Sequence, residues 1–186
     1  MSSRSHILVG AAAAVALAAI SVIAIAAAGG GFDGSRMSRG RVSCVVPNLA
    51  GTVVDVTLTN MGGPMMGQGA SMVGGMMRVS VDRATVPHGA VSLLAFNGGS
   101  VNHELVVLPL ADAQIVGTRP LGGDARIDET GSLGEASNTC SEGAGSGIAP
   151  GASSWTTLTL QPGRYELVCN LPGHYAAGMY SQLTVT

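Results

Sequence analysis

The 186-residue chain is 46% apolar, 11% charged and only 3% aromatic, with 28 glycines and a net charge of -2. Disorder requires low hydrophobicity with high net charge, nucleic-acid binding a basic face, and a coiled coil an abundance of Glu, Lys and Leu. Nine basic residues, all arginine and scattered, against eleven acidic ones satisfy none of these, so no nucleic-acid partner is expected.

From Ile7 to Ala28 the chain is apolar except at Gly10 and Ser21, and Arg4 precedes the run. It has no polar face, so it does not read as an amphipathic core helix. An N-terminal hydrophobic helix fits instead. It is either a signal peptide ending at Ala24-Ile25-Ala26 or Ala26-Ala27-Ala28, or an uncleaved anchor, because about 20 apolar residues cross a bilayer core of about 30 Å. Arg36, Arg39 and Arg41 follow the segment, so charge counting leaves its orientation open. Residues 1–31 are therefore assigned to a signal peptide or membrane anchor and residues 32–41 to a tether. Both readings place the remainder outside the cytoplasm, secreted or held at a membrane.

Short strand signals follow. Apolar residues alternate over Thr52 to Thr59 and Met76 to Val81, and β-rich runs cover Val91 to Phe96, Glu104 to Leu108, Trp155 to Leu160, Tyr165 to Cys169 and Gln182 to Thr186. Gly and Pro punctuate the intervals, as in Val86-Pro87-His88-Gly89 and Gln161-Pro162-Gly163. Such a series predicts an antiparallel β-sandwich in one domain, residues 42–186. Two stretches interrupt it. Residues 61–77 collect Met61, Met65, Met66, Met72, Met76 and Met77 among glycines, and 118–150 is a long Gly-, Ser- and acid-rich insertion with an expected short helix near Glu129 to Ser137.

Near the C-terminus, Cys169, His174 and Met179 are spaced Cys-x4-His-x4-Met around a Leu171-Pro172-Gly173 turn. One loop between two strands can therefore bend a thiolate, an imidazole and a thioether toward a common point. A second imidazole, His103, lies at the start of another strand. Two imidazoles, a thiolate and a weak axial thioether make up the trigonal blue, or type 1, copper site. Protein would fill every position, leaving none for substrate or an activated water, so an enzyme is not expected. Zinc gains little from an axial thioether. A Cys169–His174 protease lacks a visible orienting group and oxyanion hole. A binuclear copper loop needs a second cysteine, and multicopper oxidases need His-x-His pairs; neither occurs.

At Asn102-His103-Glu104-Leu105, Pro162 to Cys169 and the loop through Met179, the chain from about Val42 to Thr186 resembles the cupredoxins. It looks most like the sulfocyanin-type, membrane-associated blue copper proteins. The resemblance implies a Greek-key β-sandwich and one copper ion held by His103, Cys169 and His174, with Met179 as weak axial ligand. It also implies one-electron transfer between redox protein partners, with His174 as the electron port. Many cupredoxins place Asn directly after the first histidine ligand, where it locks the cysteine loop. Here Glu104 follows His103 and Asn102 precedes it, which leaves that lock unassigned.

Cys44 and Cys140 remain as an even pair in an oxidising compartment, and a disulfide between them is expected to pin the insertion to the start of the domain. The methionine segment could bind Cu(I) through thioethers, but flexible methionines more commonly fill gaps under loops. His88 reads as a surface residue. The alternative to electron transfer is copper delivery, in which the domain hands Cu to another protein.

Overall fold

In β1, Thr52–Met61, Val54, Val56 and Leu58 are buried while Asp55 and Thr57 are exposed. A period of two is what a strand with one face on a core requires. The computed structural model describes residues 42–61 and 76–186, and the described residues form nine strands. After β1 come β2, Met76–Val81, β3, Thr85–Val86, β4, Gly89–Asn97, and β5, Leu105–Leu110. Then follow β6, Gly134–Ala136, β7, Ser153–Leu160, β8, Gly163–Val168, and β9, Tyr180–Val185. The expected leader and tether, and most of the methionine segment, lie outside the described residues. Among the described residues no helix is long and apolar enough to cross a membrane.

One sheet has the order β2-β1-β4-β7 and the other β3-β9-β8-β5-β6. Their inner faces meet in a common core in which Val54, Leu58, Leu93 and Ala95 pack with Leu105, Leu167, Leu183 and Val185. This is the expected all-β sandwich, with one correction: the sheets are mixed. β1 runs parallel to β4, and β3 parallel to β9. Which strands become neighbours depends on how the chain crosses between sheets, and the local apolar pattern does not encode it.

The insertion also differs from expectation. Glu129 to Ser137 forms no helix; Gly134–Ala136 instead pairs antiparallel with β5, placing Ala136 against Leu105. Ile127 and Tyr175 form a second apolar cluster with Val106, Leu108 and Val168. Both faces of β5 are thereby covered, which is why its sequence reads as a continuous apolar run rather than an alternation. Cys44 and Cys140 form the expected disulfide.

Register sets up the functional end of the sandwich. Val106 lies opposite Val168, and Val168 opposite Tyr180. The start of β5, the end of β8 and the start of β9 are therefore adjacent, and the residues just outside them must meet.

Candidate metal centre

Those residues are His103, Cys169, His174 and Met179. His103 is two residues ahead of β5 and exchanges two backbone hydrogen bonds with Ile148: its N–H donates to the Ile148 carbonyl at 3.2 Å, and Ile148 N donates back at 2.6 Å. The approach to it is held by Asn97, which is fully buried. Asn97 Nδ2 donates to the carbonyls of Val101 and Ile148 at 2.8 and 2.7 Å, and Oδ1 accepts from Gly99 N at 2.8 Å.

Cys169 follows β8 directly, and its N–H donates to the Met179 carbonyl at 3.0 Å, closing the loop that carries His174. Inside that loop His174 N donates to Leu171 O at 2.9 Å, with Gly173 at φ 81°. This is the expected Pro-Gly turn, and the positive φ is one that glycine adopts without strain. Met179, just before β9, is fully buried, and its N–H donates to His174 O at 3.2 Å. Tyr175 fastens the loop from outside: its hydroxyl donates to Glu166 Oε1 at 2.8 Å, and Glu166, fully buried, is paired with Arg119 Nε at 2.6 Å.

His103 Nδ1 and His174 Nδ1 are 3.3 Å apart, and Cys169 Sγ is 3.9 Å from the first and 3.3 Å from the second. Three donors at about 2.1 Å from a common centre, 120° apart, are separated by about 3.6 Å, so this triangle suits a first-row transition metal. His103 and Cys169 are fully buried and His174 half-buried. His103 Nε2 lies 3.1 Å from Asn60 Oδ1, an acceptor. That places the ring proton on Nε2 and leaves the Nδ1 lone pair facing the centre.

The electrostatics leave the metal-free site uncharged. Burial, with the nearby His174 adding to it, pulls His103 down to about 4, and burial likewise lowers His174. Burial pushes the Cys169 thiol up to about 12, against the opposing pull of the Glu104 and Leu171 peptide N–H groups. Two neutral imidazoles and a latent thiolate are the donors a soft metal selects.

Glu104 supplies the unassigned lock. Its N–H donates to Cys169 Sγ at 3.3 Å and its Oε1 accepts from Asn170 N at 3.0 Å. The carboxyl is raised to about 7, chiefly by burial and then by the charges of Glu135 and Glu129. Asn60, Asn97 and Asn170 also support the site, and no sequence motif marks them for that role. Asn60 had a signal, because it continues the inward series Val54, Val56, Leu58 and a polar side chain there needs a partner. It finds one in His103 and a second in the Ser100 N–H, 2.7 Å away. A Cβ on Gly99 would collide with both Asn60 Oδ1 and His103 Nε2, so the contact depends on a glycine there. Met77 packs against the main core, as a gap-filling methionine does; the side chains of Met61, Met65, Met66, Met72 and Met76 lie outside the described residues. His88 is exposed, as expected.

The copper-resistant cuproprotein CopI of Pseudomonas aeruginosa is 51% identical over 39 residues, which span 20% of this chain and 22% of CopI. Similar solved structures include auracyanin B, 25% identical over 77% of this chain and 95% of that one, with a TM-score of 0.43. Reduced auracyanin of Roseiflexus castenholzii is 21% identical over 74% and 98%, with a TM-score of 0.42. Rusticyanin of Thiobacillus ferrooxidans is 20% identical over 74% and 79%, with a TM-score of 0.42. The family model of the sulfocyanin (SoxE) domain matches residues 68–186. The match spans β2 to β9 and every candidate ligand, and the chain belongs to the sulfocyanin family of cupredoxins.

Proposed function

We propose that the protein is a type 1 copper protein carrying single electrons between extracytoplasmic redox partners. His103, Cys169 and His174 are its strong ligands and Met179 its weak axial one. The observation that carries this reading is the convergence of two imidazole Nδ1 atoms and one thiol on a triangle with 3.3 to 3.9 Å edges. Copper in such a donor set supplies a Cu(II)/Cu(I) couple.

The chain's own part is to keep the ligands still. Backbone bonds at Cys169, His174 and Met179, the Asn60–His103 contact and the Glu104 latch fix their directions before any ion enters. A site that need not rearrange between charge states suits electron transfer. His174 is the strong ligand nearest solvent, with exposed Pro172 and Ala176 beside it, and a redox partner would meet this edge. The hydrophobic run 7–28 and the Cys44–Cys140 disulfide support an extracytoplasmic location, because disulfides persist in oxidising compartments.

The test is a redox titration of the full-length chain loaded with Cu(II). An intense visible thiolate-to-copper band should bleach and return through repeated cycles with the copper retained. Met179→Gln should keep the colour but lower the potential, since a harder axial oxygen favours Cu(II). Copper delivery, the second reading, draws on the local likeness to a copper-resistant cuproprotein. It would appear as prompt transfer of Cu(I) to a thiolate acceptor during the same cycles.

A further inference from the structure

Asn170, the residue after the candidate thiolate ligand, is bonded to a segment that contributes no ligand. It is 2% exposed, and each of its side-chain polar atoms is engaged. Oδ1 accepts from Ile127 N at 2.8 Å, while Nδ2 donates to the Ile127 carbonyl at 3.0 Å and to Glu129 Oε1 at 2.6 Å. A carboxamide exchanging two bonds with the N–H and C=O of one residue copies the pairing of opposed residues in an antiparallel ladder. Only a side chain with both a donor and an acceptor at this reach can do so. Aspartate lacks the donor, and serine has a single short hydroxyl.

The same stretch grips the loop again where Gly173 N donates to Ala125 O at 2.9 Å. Ala125 adopts φ 61°, a left-handed conformation uncommon for alanine, which its surroundings must therefore enforce. At the far end of the insertion, Ile148 exchanges its two backbone bonds with His103. Between these grips sits Cys140, tied to Cys44. The insertion thus holds the chain on both sides of the candidate metal centre.

Resting on the copper reading above, we propose that Asn170 is a positioning residue through which residues 125–129 fix the direction of the Cys169 thiolate. The insertion thereby governs copper retention and the character of the copper–thiolate bond. Without the Asn170–Ile127 pair, the peptide joining residues 169 and 170 gains freedom, and the Sγ direction set by Glu104 N is no longer held from both sides.

The experiment compares full-length wild type, Asn170→Ser, Asn170→Asp, Glu129→Ala and Leu160→Val, all loaded with Cu(II). Leu160→Val trims a buried side chain of β7 and reports on loss of stability alone. Copper loss to excess chelator should be roughly ten- to a hundredfold faster in the Asn170 variants, as for other residues that orient metal ligands. Their thiolate-to-copper band and copper hyperfine splitting should move as well. Glu129→Ala removes one of the bonds while leaving Asn170 in place, and should shift both readouts less, in the same direction. Leu160→Val should lower the melting temperature and leave the spectra unchanged. Asn170 variants with wild-type retention and spectra would overturn the proposal, as would equal spectral changes in Leu160→Val. A wild-type protein without the thiolate band would instead overturn the copper reading itself.

Discussion

Cys169 is a thiol that burial keeps protonated, with its pKa pushed up to about 12, whereas His103 and His174 are already neutral at ordinary pH because burial lowers both. A metal that binds the thiolate must therefore displace one proton and none from the imidazoles. At pH 8, uptake of one Cu(II) by the full-length chain should release about one proton, read with an indicator dye in weak buffer. Cys169→Ser should release none. Copper uptake by the wild type without proton release would mean that the thiol is not a ligand. The four candidate ligands are legible in the sequence because the Cys-x4-His-x4-Met spacing gives three of them a single loop and the apolar strand patterns give His103 a strand start at which to sit. The Asn170 contact is not legible, because Ile127 offers it only the peptide groups that every residue has.

Among the elements, the longer strands follow from their own residues, because alternation in β1 and β2 and β-rich apolar runs between Gly and Pro breaks in strands such as β5 and β8 both mark extended chain. β3 and β6 are two and three residues long, too short to show a period. For Glu129 to Ser137, local composition suggested a helix, but the open edge of β5 and the apolar surface above it recruit the segment as a strand instead. Cysteine parity predicted the disulfide, and its consequence belongs to this scale. Cys44 and Cys140 are 96 residues apart, so the crosslink removes much of the freedom of the unfolded chain. In the metal-free protein the Cys44→Ser/Cys140→Ser double variant should lose about 4 to 5 kcal/mol, read as a lowered denaturation midpoint in urea. An unchanged midpoint would mean that the insertion is anchored without the crosslink.

At the scale of the whole molecule, weak net charge leaves a few buried groups to govern how stability depends on pH. Glu104 has an ordinary value of 4.5 and is raised to about 7 in the fold. Between those values the folded state holds more protons than the unfolded one, so the Glu104 contribution is present at low pH and is lost as pH rises through about 7. His103 acts oppositely: lowered from 6.5 to about 4, it costs stability as pH falls through that window. In the metal-free wild type the Glu104 slope is opposed by those of His103 and of His174, which burial also lowers. Glu104→Gln removes the Glu104 slope, so the stability difference between wild type and variant should move against wild type as pH rises from 4.5 to 7. Urea midpoints measured across that range would contradict this if the difference stayed constant. In the proposed function, Cys169 and two histidines hold one copper ion in a trigonal, thiolate-dominated site. The electron paramagnetic resonance spectrum of the full-length Cu(II) protein tests it directly. The predicted result is the narrow parallel copper hyperfine splitting of a covalent copper–thiolate bond, replaced by a wide splitting in Cys169→Ser; a wide, tetragonal splitting in the wild type would contradict it.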